Sequence, residues 1–210
     1  MVSEQSFTCQ WRLQALGIRV KKHYSRAMCG RFTIISEREV IEKRFNARFS
    51  AVENFRSRYN AAPSQKLPVI LNSHPDEITM LKWGISPPWM KKFLKKDGLI
   101  NVKAETLKEK VTFKADLEKR RCLVLADSFY EWKKTGGMKV PYRILLKNNQ
   151  PFAFAGIWET NEDNGGRKID TFAIITTTPN ELVAEIHHRM PVILNEEDEK
   201  DWIDEKTPTM

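Results

Sequence analysis

The chain has 210 residues, of which 41% are hydrophobic, 30% charged and 10% aromatic, with a formal net charge of +8. A chain of this size buries a sizeable core without disulfides or structural metal, and its scattered Gly and Pro do not fit collagen or low-complexity sequence. No apolar run reaches the roughly 18–20 residues of a membrane-spanning helix, and Cys9, Cys29 and Cys122 share no Cys-x-x-Cys spacing, so the expectation is a protein of the reducing cytoplasm with no membrane partner, disulfide framework or zinc ribbon.

Residues 1–27 stand apart. Arg12, Arg19, Lys21, Lys22 and Arg26 face Glu4 alone, which places half of the net charge in this stretch. It is too short and too polar in its apolar part for a secretory signal. The expectation is an N-terminal extension, removed or upstream of the functional start at Met28, and it is set aside from the fold. Residues 28–210 form the predicted domain. The basic balance permits a polyanionic partner such as nucleic acid without requiring one.

From Met28 the pattern is β-rich. Phe32 to Ile35 reads as a strand, and Ser36 with Glu39 reads as a capping box opening a helix whose Val40, Ile41 and Phe45 share a face. Arg121 to Ala126, Tyr142 to Leu146, Phe152 to Trp158 and Thr171 to Thr176 are apolar enough for buried strands. Thr178-Pro179-Asn180-Glu181 reads as a second capping box with Pro at the first helical position, opening a short helix that ends near Ile186. A last helix follows Asn195. Without an internal repeat or linker, this predicts one α+β domain with a β-rich, barrel-like mixed core and short flanking helices.

Chemistry is sought where polar residues sit in apolar, Pro-punctuated segments, because a buried polar group costs stability unless it is paired or used. Five segments qualify: Cys29-Gly30-Arg31-Phe32, Tyr59-Asn60-Ala61-Ala62-Pro63, Trp83 to Trp89 with Asn101 to Glu105, Asp127 to Trp132, and His187-His188-Arg189-Met190-Pro191. In this order, a Met-Cys-Gly-Arg-Phe start, a Trp-Gly-x-x-Pro-x-Trp turn, a Phe-Tyr-Glu-Trp strand end and a His-x-Arg-Met-Pro turn resemble the SRAP family, the SOS-response-associated peptidases that process abasic sites in DNA.

The resemblance implies the fold and the chemistry together. The family loses its initiator Met, which leaves the residue matching Cys29 at the N-terminus. A free α-amine, with a pKa of about 7.7–8.0, can attack the ring-opened abasic aldehyde, and the adjacent thiol can then close a thiazolidine. An internal Cys has no such amine. Glu131 matches the catalytic glutamate that passes protons, His187 matches the histidine that helps open the sugar, and Asn101 matches the asparagine that orients amine or sugar without titrating. Arg31 and Arg189 match phosphate-contacting positions, joined by Lys103, where the family usually has Arg; Lys keeps the charge and loses the bidentate fork. Trp83 and Pro63 match parts of a wall against flanking bases, whereas Pro87 and Trp89 equally suit a rigid core turn. The implied partner is single-stranded DNA carrying abasic sites, and the implied protein is a monomer needing no metal or organic cofactor. Autopeptidase and lyase activities belong to the same expectation. Two alternatives stay open: a thiol peptidase acting on proteins, and a non-catalytic single-strand binder.

Overall fold

The computed structural model describes residues 18–22 (backbone), 30–51, 54–86, 98–107, 111–162 and 166–207. The expectations for Cys29, Pro87 and Trp89 lie outside the described residues. In chain order the elements are β1 (Ile18–Lys22), β2 (Phe32–Ile34), α1 (Arg38–Phe45), β3 (Arg48–Phe49), β4 (Arg58–Ala61), β5 (Lys66–Leu71), β6 (His74–Trp83), β7 (Asn101–Lys103), α2 (Ala104–Leu107) and α3 (Val111–Lys119). They continue as β8 (Arg121–Ala126), β9 (Ser128–Thr135), β10 (Met138–Leu146), β11 (Phe152–Glu162), β12 (Lys168–Thr177), α4 (Glu181–Ala184), β13 (Met190–Pro191), β14 (Ile193–Leu194) and α5 (Glu196–Ile203).

Five strands close on themselves. β12 pairs β11, β11 pairs β8, β8 pairs β5 and β5 pairs β6, all antiparallel. β6 then returns to β12 through a short parallel seam, Lys82 opposite Thr171 and Trp83 opposite Phe172. Closure explains why all six residues of β8 are buried: a strand inside such a ring has no edge and little exposed face. At Gly156 of β11, an added Cβ would sit 2.8 Å from Cys122 Sγ and 2.9 Å from Val124 Cγ2, so only glycine allows the strands to approach this closely.

A second sheet, in the order β1-β10-β9-β2-β4, is held to this barrel by aromatic edges. Phe154 of β11 meets Phe32 of β2 at 5.8 Å and Phe129 of β9 at 6.0 Å, both nearly perpendicular. The β9–β10 hairpin turns on Gly136 and Gly137, with φ of 57° and 81°, a two-residue turn whose left-handed backbone matches strand twist. The result is the expected α+β class, a β-rich barrel with few short helices.

Three local expectations change. Ile18–Lys22, set aside with the extension, runs antiparallel to β10 in the register Ile18–Leu146 to Lys22–Tyr142; the alternation of Ile18 and Val20 with Arg19 and Lys21 suits an edge strand. Ser36 does not cap α1, because Asp127 at the β8–β9 bend takes its hydroxyl and also accepts the Ile35 and Ser36 amides. Glu37 stands at the N-cap with no side-chain cap bond. Asn180, not Thr178, caps α4 by accepting from Val183 N at 2.9 Å, so Pro179 precedes the helix. The helix after Asn195 forms as expected, with Asn195 Oδ1 accepting from Asp198 N at 2.8 Å. Strands β10, β11 and β12 are each longer than the apolar stretches that announce them.

Candidate active site

The site grows from β9. Leaving the bend at Asp127, this strand carries Tyr130, Glu131 and Trp132 between β2 and β10. Glu131 is 0% exposed, and its Oε2 lies 3.7 Å from Nδ1 of His187. The imidazole arrives from the end of α4, where the His187 amide donates to Val183 O at 2.8 Å. Its Nδ1 also lies 3.1 Å from Arg189 O and 3.2 Å from Arg189 N, so a protonated Nδ1 can donate to the carbonyl and an unprotonated one can accept from the amide. Burial holds His187 below the ordinary histidine pKa, and the positive charges of His188, Lys139 and Lys134 push the same way, against the opposing bond to the Arg189 carbonyl.

Glu131 faces a narrow cleft whose other walls include Arg31, Trp83, Asn101, Tyr130 and Pro191. Arg31, just before β2, is held by its carbonyl, which accepts from Tyr130 N at 2.9 Å, and its Nη1 donates to Asn60 Oδ1 at 3.0 Å. Asn101 opens β7, where parallel pairing with β12 sets it beside Ile174. Tyr130 donates its hydroxyl to Tyr59 O at 3.2 Å, which fixes the phenol at the cleft. An amide, a guanidinium and a carboxylate thus line one cleft, with an imidazole 3.7 Å from the carboxylate, all brought from four separate stretches of the chain.

Other expected residues stand differently. Trp83 is 1% exposed, donates Nε1 to Ile100 O at 2.9 Å, and is enclosed by Phe172 (6.2 Å, near-parallel) and Phe32 (5.2 Å). A base-stacking wall was expected, and a buried cleft floor is found. Arg189 grips Glu105 with both terminal nitrogens, at 2.8 and 3.0 Å, and its Nη2 also donates to Thr176 O at 2.6 Å. This fork is engaged with protein, and its hydrogen bonds hold the Glu105 carboxyl below its ordinary range. Lys103 is exposed two residues from Asn101 on β7, on the same strand face. Pro63 is half-buried in the turn that joins β4 to β5 and does not line the cleft.

The sequence reading missed a second opening. A groove enclosing about 380 Å³ lies between the β9–β10 hairpin and α4, lined by Glu131, Trp132, Lys133, Lys134, Lys139 and His187 among others. Its signal was visible as Lys133-Lys134-Thr135-Gly136-Gly137-Met138-Lys139, a basic hairpin tip directly after the Phe-Tyr-Glu-Trp run. Among the described residues no cluster of three His, Cys, Asp or Glu could hold a metal ion. Nor is any described helix long and apolar enough to cross a membrane.

The flanking sheet thus buries a carboxylate beside an imidazole, next to a cleft that an arginine and an asparagine also line. The chain belongs to the SRAP family, described as SOS response associated peptidase, whose model matches residues 28–210. It is 45% identical over 182 residues to the abasic site processing protein YoqW of Bacillus subtilis (strain 168), covering 85% of this chain and 81% of that one. It is also 34% identical over 149 residues to the abasic site processing protein YedK of Escherichia coli (strain K12), covering 70% and 64%. Among solved structures, a protein from Bacteroides thetaiotaomicron superposes with a TM-score of 0.75 at 29% identity, covering 85% and 82%. One from Bordetella bronchiseptica gives 0.72 at 25%, covering 84% and 88%.

Proposed function

We propose that the protein processes abasic sites in single-stranded DNA and links covalently to them through Cys29 once the preceding residues are removed. The observation that carries this reading is Glu131, fully buried yet lining the cleft, 3.7 Å from His187. The names of the relatives point to the same substrate.

The chemistry follows from those groups. The freed Cys29 amine adds to the ring-opened aldehyde carbon, and the carbinolamine loses its hydroxyl as water to give an imine. The Cys29 thiol then adds its sulfur to the imine carbon while the nitrogen takes a proton, which closes a five-membered thiazolidine with no outside oxidant or reductant. Each step moves a proton. Glu131 shuttles protons at the reacting nitrogen and leaving oxygen, and His187 serves the ring oxygen as the sugar opens. Asn101 orients the amine or sugar, and Arg31 and Lys103 hold phosphate. Arg189 reaches phosphate only by yielding its pairing with Glu105.

The test is a denaturing gel of the full chain and of a form beginning at Cys29, each mixed with a single-stranded oligonucleotide bearing one abasic site. The Cys29-start form is expected to give a shifted band that survives denaturant and vanishes in Cys29→Ala. The same band from the full chain would mean that the extension is released. No band from either form overturns the crosslink and leaves a thiol peptidase as the better reading.

A further inference from the structure

The groove between the β9–β10 hairpin and α4 lies outside every role assigned above, yet it shares a wall with the site. Glu131 lines both the cleft of Arg31 and Asn101 and this groove, so the two openings adjoin at one residue. Lys133, Lys134 and Lys139 line the groove. In the hairpin register Lys139 stands directly opposite Lys134, a like-charge pairing that costs stability unless an anion offsets it. Among the described residues none of the three forms an ion pair, and the carboxylates along the groove are Glu185 and Glu131, the latter 3.7 Å from His187. Three arginines elsewhere, by contrast, are committed: Arg44 to Glu199 at 2.9 Å, Arg189 to Glu105, and Arg121 to backbone carbonyls.

We propose that this groove is a phosphodiester track, in which Lys133, Lys134 and Lys139 hold the backbone of the single strand to one side of the nucleotide seated at Glu131. The proposal rests on the reading of the cleft as the seat of an abasic nucleotide and adds where the adjoining strand runs. Flexible ammonium groups suit a phosphodiester passing at variable sequence, since they supply point charge without dictating base identity. The buried indole of Trp132, in ring contact with Tyr130 at 6.4 Å, gives the groove an apolar floor that favours desolvated charge contacts above it. Occupancy would also reach the site itself. Lys134 and Lys139, with His188, face His187 and disfavour its protonation, so a phosphate beside them relieves that pressure.

The experiment uses the full chain and a fluorescent single-stranded oligonucleotide with a tetrahydrofuran abasic analogue, which has no aldehyde and reports non-covalent affinity alone. Binding is measured by anisotropy from low to moderate salt for the wild type, for Lys134→Gln/Lys139→Gln, and for the distant surface pair Lys43→Gln/Lys200→Gln. The hairpin variant is expected to bind about tenfold more weakly at low salt, with a log Kd against log salt slope smaller by about 1.4, the contribution of two single-strand phosphate contacts. The distant pair keeps the wild-type slope, and Lys134→Arg/Lys139→Arg restores it. Competition by inorganic phosphate only at concentrations where salt alone acts would identify the strand, not free phosphate, as the occupant; displacement by low phosphate concentrations would overturn the strand assignment. Wild-type binding with an unchanged slope in the hairpin variant overturns the track while leaving the abasic-site reading intact. Absence of wild-type binding removes both, and a lysine-dependent slope without any crosslink in the Cys29-start form sinks the crosslink alone.

Discussion

At the scale of single residues, the decisive contact is a weak one. Glu131 and His187 stand 3.7 Å apart, longer than a hydrogen bond, so their coupling is electrostatic and depends on the protonation state of the ring. Burial lowers the His187 pKa from 6.5 in spite of that neighbour. As pH falls, the unfolded chain therefore takes up this proton before the folded one does. The stability contributed by the neutral, buried ring is complete above about pH 6.5 and is lost as pH falls through the lowered folded value. An NMR titration of the His187 imidazole is expected to show a midpoint below 6.5, and Glu131→Gln should move it further down by removing the nearby carboxylate. A midpoint above 6.5 would mean that the carboxylate outweighs burial. Cys122 illustrates the opposite fate of a reactive group, because complete burial pushes its thiol pKa up and leaves it an inert part of the barrel wall.

At the scale of elements, Asp127 organises the join between barrel and sheet. Its carboxylate takes the Ile35 and Ser36 amides and the Ser36 hydroxyl, so one residue at the β8–β9 bend holds the entry to α1. Asp127→Ala strands those donors and should cost about 3 kcal/mol, read from the urea midpoint at unchanged m value. The same residue shows why part of the fold escaped the sequence reading. Ser36 and Glu39 have the spacing of a capping box, but the partner that captures Ser36 lies 91 positions away. Strand β8 was legible because all six of its residues are buried, whereas the first half of β10, Met138-Lys139-Val140-Pro141, opens on two exposed residues and carries a proline that reads against a strand. The site follows the same rule. The family resemblance pointed to Glu131, His187 and Asn101, which the fold brings to one region; it had no means of pairing Arg189 with Glu105, 84 positions apart, or of turning Trp83 inward.

At the scale of the whole molecule, stability depends on one buried cation. Arg121 is 1% exposed and donates to the carbonyls of Leu117, Glu118, Trp202, Asp204 and Thr207, tying the end of α3 and everything from α5 onward to the barrel. Trp202 reinforces the tie by donating Nε1 to Cys122 O at 3.0 Å. Burial lowers the Arg121 pKa, yet an arginine starts so high that it keeps its charge. Arg121→Met leaves several buried carbonyls without a donor and should destabilise the protein by about 3–5 kcal/mol, seen as a large drop in Tm. Limited proteolysis should then cut first near residues 196–207. Cleavage elsewhere with α5 intact would show that the tie is not the weak point.

The parallel seam that closes the barrel also sets an order of events. Lys82 and Trp83 meet Thr171 and Phe172 across roughly ninety residues of intervening chain, while the other four joints of the ring link strands nearer in sequence or antiparallel. Bringing such distant segments together costs loop entropy that no local contact offsets beforehand, so this joint belongs to the late, slow phase of folding. Trp83 sits on the seam and floors the cleft, and the chain beyond it leads through Ile100 to Asn101. A nascent molecule therefore completes its scaffold before its pocket, and the reactive cleft comes into existence only in chains that have already passed their slowest step.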